Sequence, residues 1–160
     1  KVMEVPRDVI KQSKIVAKEL VKFDRMKVVD DDDIRFHPTA TLKDIHSSTL
    51  KLVLVWCEKH KSDTPAMKKI CKIPHEWKLP EWDQQFLDVH HCVVVALCKA
   101  AHEMQIKLLV DMTCKVIADQ IKGKTTEELR AHFNIENDLT PEEEEAIRRD
   151  NERRGWEKRT

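Results

Sequence analysis

The apolar positions of residues 1–80 fall into short segments with different periods. Residues 1–5 (KVMEV) alternate apolar and polar side chains and stop at Pro6, a pattern that predicts an edge strand. Since a lone strand needs a neighbour to pair with, a partner strand is expected to precede Lys1. A second short strand is expected at residues 40–45.

Helices are predicted between and after these strands. Residues 6–13 favour a short helix with Pro6 in its first turn, and residues 13–23 carry part of an apolar helical face. The apolar run at residues 50–57 (LKLVLVWC) predicts a helix that starts near Ser47. Residues 61–80 hold three prolines and scattered charges, which is typical of a long connecting loop.

From Trp82 onward the pattern becomes helical. Residues 92–101 (CVVVALCKAA) are apolar and rich in Ala towards their end, which favours a buried helix. A long amphipathic helix is predicted next, with Gly123 just past its end. Its apolar residues recur at helical spacing: Ile106, Leu109, Val110, Thr113, Cys114, Ile117, Ala118 and Ile121.

Two capping boxes open the helices of the C-terminal tail. Thr125 with Glu128 starts one helix, and Thr140 with Glu143 starts another, with Pro141 at its first position. More than half of residues 124–160 are charged, so the tail has little apolar surface with which to offset its ordering entropy. Two interpretations stay open: its few large apolar side chains dock on the predicted long helix, or they order against another protein.

Composition excludes several function classes. Acidic and basic residues balance at 29 each, whereas nucleic-acid-binding domains usually carry a basic excess. The 2 glycines cannot supply a phosphate-binding loop. The 5 cysteines lack the spacing of a disulfide framework, which favours a reducing compartment. No apolar run is long enough for a membrane span.

Candidate catalytic and metal motifs are incomplete. Structural zinc takes four ligands, but the Cys57–His60 pair and the His90–Cys92 stretch each lack a second half. His102 and Glu103 do not begin an H-E-x-x-H motif, because residue 106 is Ile. The four aspartates at residues 30–33 lack the spaced ligands and turn glycine of a calcium loop. No enzyme activity, metal or cofactor is therefore predicted.

Several stretches of the chain form specific motifs: WDQQFL at 82–87, DMTCK at 111–115, IKGKT at 121–125, EELR at 127–130, FNI at 133–135 and TPEEEE at 140–145. In these stretches the chain resembles the S-phase-kinase-associated (Skp) adaptor family of SCF cullin–RING ubiquitin ligases. The match runs without gaps from Trp82 to about Glu152, and residues 11–13 (KQS) and 56–63 (WCEKHKSD) fit the first half of the family.

The resemblance implies an α+β fold: a BTB/POZ-type domain with a small sheet over residues 1–101, then a helical F-box-binding region over residues 102–160. It implies a non-catalytic adaptor that links F-box proteins to a cullin in the cytoplasm and nucleus. The residues implied in F-box binding are Val95, Cys98, Val110, Cys114, Ile117, Ile121, Phe133, Ile135, Asn137, Leu139 and Trp156.

The sequence departs from the family where the cullin is expected to bind. The family pattern A-A-N-Y-L is replaced by residues 100–104 (AAHEM), which puts His102 and Glu103 at the implied cullin contact. Tyr is a common interface anchor, whereas a buried Glu is costly unless it is paired. Cullin binding is therefore in doubt, and an assembly module that binds F-box-type partners or self-associates without a cullin is the alternative.

Overall fold

The computed structural model describes residues 2–26, 40–63 and 77–155, and regular structure in these ranges is entirely helical. The helices are α1 (Arg7–Ile10), α2 (Lys14–Met26), α3 (Ser47–Lys59), α4 (Glu81–Leu87), α5 (His91–Glu103), α6 (Lys107–Ile121), α7 (Thr126–Phe133) and α8 (Pro141–Arg154). The acidic run at residues 30–33 and most of the predicted loop, residues 64–76, lie outside the described residues.

The predicted α+β fold with a small sheet is wrong for the described chain, which contains no strand. Residues 2–5 are irregular, because alternation of side chains forms a strand only where a neighbouring backbone accepts the ladder of hydrogen bonds. The strand expected at residues 40–45 is replaced by a bend. Asp44 has φ 57°, in the left-handed region, and this conformation interrupts an extended segment.

The chain divides into two compact units, Lys1–Ile117 and Ala118–Thr160. The division into regions 1–101 and 102–160, which the family resemblance implies, stays a prediction. Among the residues described, no helix has both the length and the apolar composition needed to cross a membrane.

The core of the first unit is built around α3, which packs against α5 and α1. The apolar run predicted as a helix places Val53, Trp56 and Cys57 at 0% exposure. Burial raises the pKa of the Cys57 thiol to about 12, so this cysteine is a protonated core residue. The other buried apolar residues of this core are Val9, Ile10, Leu87, Leu97, Ala100, Ala101, Met104, Ile106, Leu109 and Met112.

A buried hydroxyl joins the start of α2 to the end of α5. Ser13 is fully buried, and its Oγ donates a 2.7 Å hydrogen bond to the carbonyl oxygen of Met104. The same Oγ accepts from the backbone N–H of Val16 at 3.3 Å, so Ser13 also caps α2. This arrangement fixes the C-terminal end of α5 against the beginning of α2.

The helix boundaries of the second unit follow the predicted caps. Both capping boxes form, Thr125 with Glu128 and Thr140 with Glu143. Gly123 lies just after α6 with φ 76°, a conformation that glycine adopts without strain. Neither α7 nor α8 contains a buried residue, so the helices of this unit are locally well specified but contribute little to a core.

Candidate partner-binding surface

The α6 helix has two apolar faces within the first unit. Leu109, Met112 and Thr113 are buried, at 0%, 2% and 0% exposure. Val110 is partly exposed and Cys114 is exposed, although each is adjacent in sequence to a buried residue. Because helical residues three and four apart share a face, Val110, Cys114 and Ile117 form one stripe. This stripe lies beside the buried face, and Val110 also packs partly against the core. We call these three residues the outer stripe.

The α5 helix shows the same arrangement. Val94, Leu97 and Ala101 are buried, whereas Val95 and Cys98 are only partly buried. Burial of these inward side chains stabilises α5 as an apolar helix. The same packing leaves the side chains of Val95 and Cys98 partly exposed.

Cys98 and Cys114 contact each other across α5 and α6, with their Sγ atoms 3.7 Å apart. Partial desolvation raises the pKa of the Cys114 thiol, and the contact with Cys98 raises it further. Both residues were predicted from the sequence as F-box contacts, but their direct contact was not.

Apolar residues of the second unit are exposed next to a small polar cluster. Asn134 ends α7 with φ 52°, and the N–H of Ile135 then donates to the carbonyl oxygen of Arg130 at 2.8 Å. This turn leaves the Ile135 side chain 57% exposed. Phe133 and Leu139 are partly buried. Ile121, at the end of α6, is 43% exposed.

Asn137 has hydrogen bonds within the second unit. Its Nδ2 donates to Glu144 Oε1 at 2.7 Å, and Arg130 donates to the same oxygen at 3.1 Å. These two bonds lower the pKa of Glu144, with Asn137 the larger cause. A cavity of about 380 Å³ lies here and is lined by Glu127, Arg130, Ala131, Asn134, Ile135, Glu136 and Asn137. Trp156, the remaining predicted contact, lies outside the described residues.

His102 and Glu103, the predicted cullin-contact residues, form the last turn of α5. Their side chains are 78% and 62% exposed, and His102 Nδ1 lies 4.0 Å from Glu103 Oε1. Both groups are therefore hydrated in the isolated chain.

The histidine and cysteine motifs considered for zinc have other structural roles. His60 contacts two carboxylates, with Nδ1 2.6 Å from Asp63 and Nε2 3.0 Å from Asp83, while Cys57 is buried in the core. His90, His91 and Cys92 offer three ligand atoms within 4.8 Å of one another. However, His90 is the N-cap residue of α5, and its Nδ1 already accepts a hydrogen bond from the backbone N–H of Cys92.

Comparison with known proteins assigns the family. The model of the Skp1 family, dimerisation domain, matches residues 107–154. The "E3 ubiquitin ligase complex SCF subunit sconC" of Arthroderma benhamiae is 42% identical over 113 residues, covering 69% of each chain. "SKP1-like protein 11" of Arabidopsis thaliana is 43% identical over 111 residues, again covering 69% of each chain.

These likenesses, together with the two-faced α5 and α6 helices, define a helical protein-binding subunit. The chain belongs to the Skp1 family.

Proposed function

We propose that this chain is the adaptor subunit of an SCF-type E3 ubiquitin ligase and links an F-box protein to a cullin. The observation that carries the proposal is the outer stripe, Val110, Cys114 and Ile117, whose residues stay partly buried or exposed beside the buried face of the same helix. Similar proteins named as SCF subunits support it.

The physical basis for F-box binding is apolar burial on preformed helices. Covering one Val, Ile or Phe side chain stabilises a complex by about 1.5–3 kcal/mol before the costs of association. The first unit offers the outer stripe with Val95, and the second unit offers Ile121, Phe133, Ile135 and Leu139. In the second unit, Asn137 and Glu144 add polar groups that a partner can contact.

A sizing-column experiment with matched variants tests this assignment. The chain is co-expressed with an F-box domain, and a stable binary complex is expected. Ile135→Asp should abolish that complex, because it places a charge on a side chain that the proposal buries. Val21→Asp, at a residue on α2 with a similar exposure of 50%, is the control and should leave the complex intact. Two outcomes overturn the proposal. In the first, Ile135→Asp and Val21→Asp lose F-box binding equally. In the second, the parent chain and Val21→Asp both fail to bind the F-box domain.

The cullin half of the function is tested by adding a cullin N-terminal domain to the binary complex. A ternary peak supports the complete adaptor and shows that Glu103 is accommodated. A binary peak that ignores the cullin supports instead an assembly module that retains F-box-type partners.

Self-association is a second candidate function, favoured by one observation. The family model that matches residues 107–154 is described as a dimerisation domain, and these residues include the outer stripe. Self-association predicts a concentration-dependent shift to twice the mass on a sizing column. Val110→Asp should lose this shift, and Val21→Asp should keep it.

The adaptor proposal assigns no catalytic step to the chain. It acts by placing two other proteins near each other, and its location is proposed as cytoplasm and nucleus. A turnover assay on the isolated chain checks the first point, and imaging of the tagged full chain checks the second.

A further inference from the structure

Two thiols from different helices meet on the surface assigned above to the partner. Cys98 lies on α5 and Cys114 lies 16 positions later on α6, with 3.7 Å between their Sγ atoms. Cys114 is exposed and Cys98 is partly buried. Solvent therefore reaches one thiol directly, while the other is held against it by packing.

We propose that Cys98 and Cys114 are a reversible redox-modification site, at which a peroxide converts the two thiols into a disulfide that ties α5 to α6. The formation of the bond stands on the contact between the two thiols alone. Its effect on partner binding rests on the proposed function, because both cysteines lie on the surface assigned to the F-box.

The geometry requires a small rearrangement. A disulfide holds its sulfur atoms about 2.05 Å apart, so the sulfur atoms must approach by roughly 1.7 Å from their present contact. The proposal therefore requires rotation of the Cys114 side chain, with slight adjustment of the helices. The buried Cys57 and the lone exposed Cys92 offer no comparable pair among the residues described.

The chemistry balances with a peroxide as the oxidant. The thiolate of Cys114, the exposed member, attacks a peroxide oxygen and becomes a sulfenic acid, and hydrogen peroxide thereby releases one water after protonation. The Cys98 thiol then attacks the sulfenic sulfur and displaces a second water. Two thiols lose two protons and two electrons in total, and one hydrogen peroxide is reduced to two waters.

The environment of Cys114 makes this site slow at neutral pH. Partial desolvation raises the pKa of its thiol, and so do the contact with Cys98 and the charge of Asp111. Because the thiolate is the reactive form, oxidation should accelerate as the pH rises. The same raised pKa makes Cys114 a poor leaving group, so the disulfide should be reduced slowly by attack at Cys98.

The bond should weaken binding of an F-box partner. It draws the Cys114 sulfur out of the outer stripe towards α5 and holds the two helices in one fixed arrangement. We expect about a tenfold loss of affinity, which corresponds to ~1.4 kcal/mol.

The first test maps the bond in the full chain. The protein is treated with hydrogen peroxide, remaining thiols are blocked, and peptides are identified by mass spectrometry. A cross-linked pair of Cys98 and Cys114 peptides that a reductant separates supports the site. Cys98→Ser and Cys114→Ser should each lose it, while Cys92→Ser should keep it. Disulfides that mainly involve Cys92, or sulfinic acid at Cys114 without a cross-link, overturn the proposal.

The second test measures F-box binding by the reduced and oxidised chain, with the ratio of affinities taken within each variant. The parent chain and Cys92→Ser should lose affinity on oxidation, and Cys98→Ser should not. Equal affinity of both parent forms, with the disulfide mapped, overturns the regulatory effect alone. Failure of the reduced chain to bind overturns the proposed function and the regulation with it, while the mapped disulfide still establishes the modification site.

Discussion

The indole Nε1 of Trp56 donates a 2.9 Å hydrogen bond to Oδ1 of Asp83, and both residues are almost fully buried. The bond joins α3 to α4 across 27 positions of sequence. His60 stacks on the Trp56 ring at 4.2 Å and brings its Nε2 to the same oxygen. One carboxylate oxygen therefore holds together two aromatic side chains of the core.

Removing this carboxylate should destabilise the first unit strongly. Asp83→Ala leaves the Trp56 and His60 donors buried without an acceptor, which costs about 3 kcal/mol. Asp83→Asn keeps a carbonyl oxygen for Trp56 and should cost less. Urea unfolding curves of both variants and the parent chain check this, and equal midpoints for the three proteins would contradict it.

The unfolding free energy should decrease as the pH rises past neutrality. Burial lowers the pKa of His60, but the bonds to Asp83 and Asp63 outweigh burial and raise it above the ordinary value of 6.5. Since the folded state binds this proton more tightly, the stabilisation is fully present below pH 6.5 and is lost as the pH rises through the folded-state pKa.

Urea unfolding between about pH 5.5 and about pH 9 measures this effect. The parent chain should lose more stability across the window than Asp63→Asn, which lacks one of the two carboxylates. His102→Gln, at a side chain that is 78% exposed, is the control and should follow the parent curve. Parallel curves for the parent chain and Asp63→Asn would refute the assigned role of His60.

Two adjacent positions on α6 should respond in opposite ways to the same truncation. Leu109→Ala opens a cavity in the core and should cost about 2–5 kcal/mol of stability. Val110→Ala should cost less than about 1 kcal/mol, but it removes part of the outer stripe and should weaken F-box binding. Urea unfolding and titration calorimetry on both variants separate the two effects. A fully retained affinity in Val110→Ala would remove this residue from the interface.

The tail helices should be poorly protected until a partner binds. Because α7 and α8 bury no residue, their amides should exchange with solvent much faster than those of α3. Hydrogen exchange on the isolated chain and on the F-box complex measures the difference. Unchanged tail protection in the complex would exclude folding on binding, while α3 serves as the internal reference.

Restoring the family residues at the end of α5 should strengthen cullin binding. His102→Asn combined with Glu103→Tyr removes a charge that is costly to bury and supplies an aromatic anchor. We expect a gain of at least about tenfold in affinity, or ~1.4 kcal/mol. Glu58→Tyr, at an exposed glutamate on α3, controls for nonspecific adhesion by an added tyrosine. A gain of the same size in this control would mean that the contact is not specific.

Local signals in the sequence predicted the local structure well. The Thr125–Glu128 and Thr140–Glu143 boxes form because each involves groups only three residues apart. The strand predicted at residues 1–5 is absent from the described residues 2–5, because a side-chain pattern carries no information about a backbone with which to pair. The contacts of Asp83 with Trp56, and of Cys98 with Cys114, depend on how separate helices pack. No spacing along the chain reveals them.

The charged, capped tail indicated from the sequence alone that a partner could bind there, but the individual contact residues were accessible only through the family resemblance. Leu109 and Val110 are both apolar neighbours on one predicted helix, and periodicity alone did not say which faced inward. The structure separates them by burial, and the role of the outward set in binding stays a prediction.

The Ser13 hydroxyl, bound to the carbonyl oxygen of Met104, links the first helices of the chain to the position of His102 and Glu103. Ser13→Ala would retain every predicted F-box contact, and it would keep the buried Val9 and Ile10 of α1. It would lose the support beneath the end of α5. Loss of this one hydroxyl should therefore separate the two proposed partners of the adaptor, sparing the F-box protein and weakening the hold on the cullin.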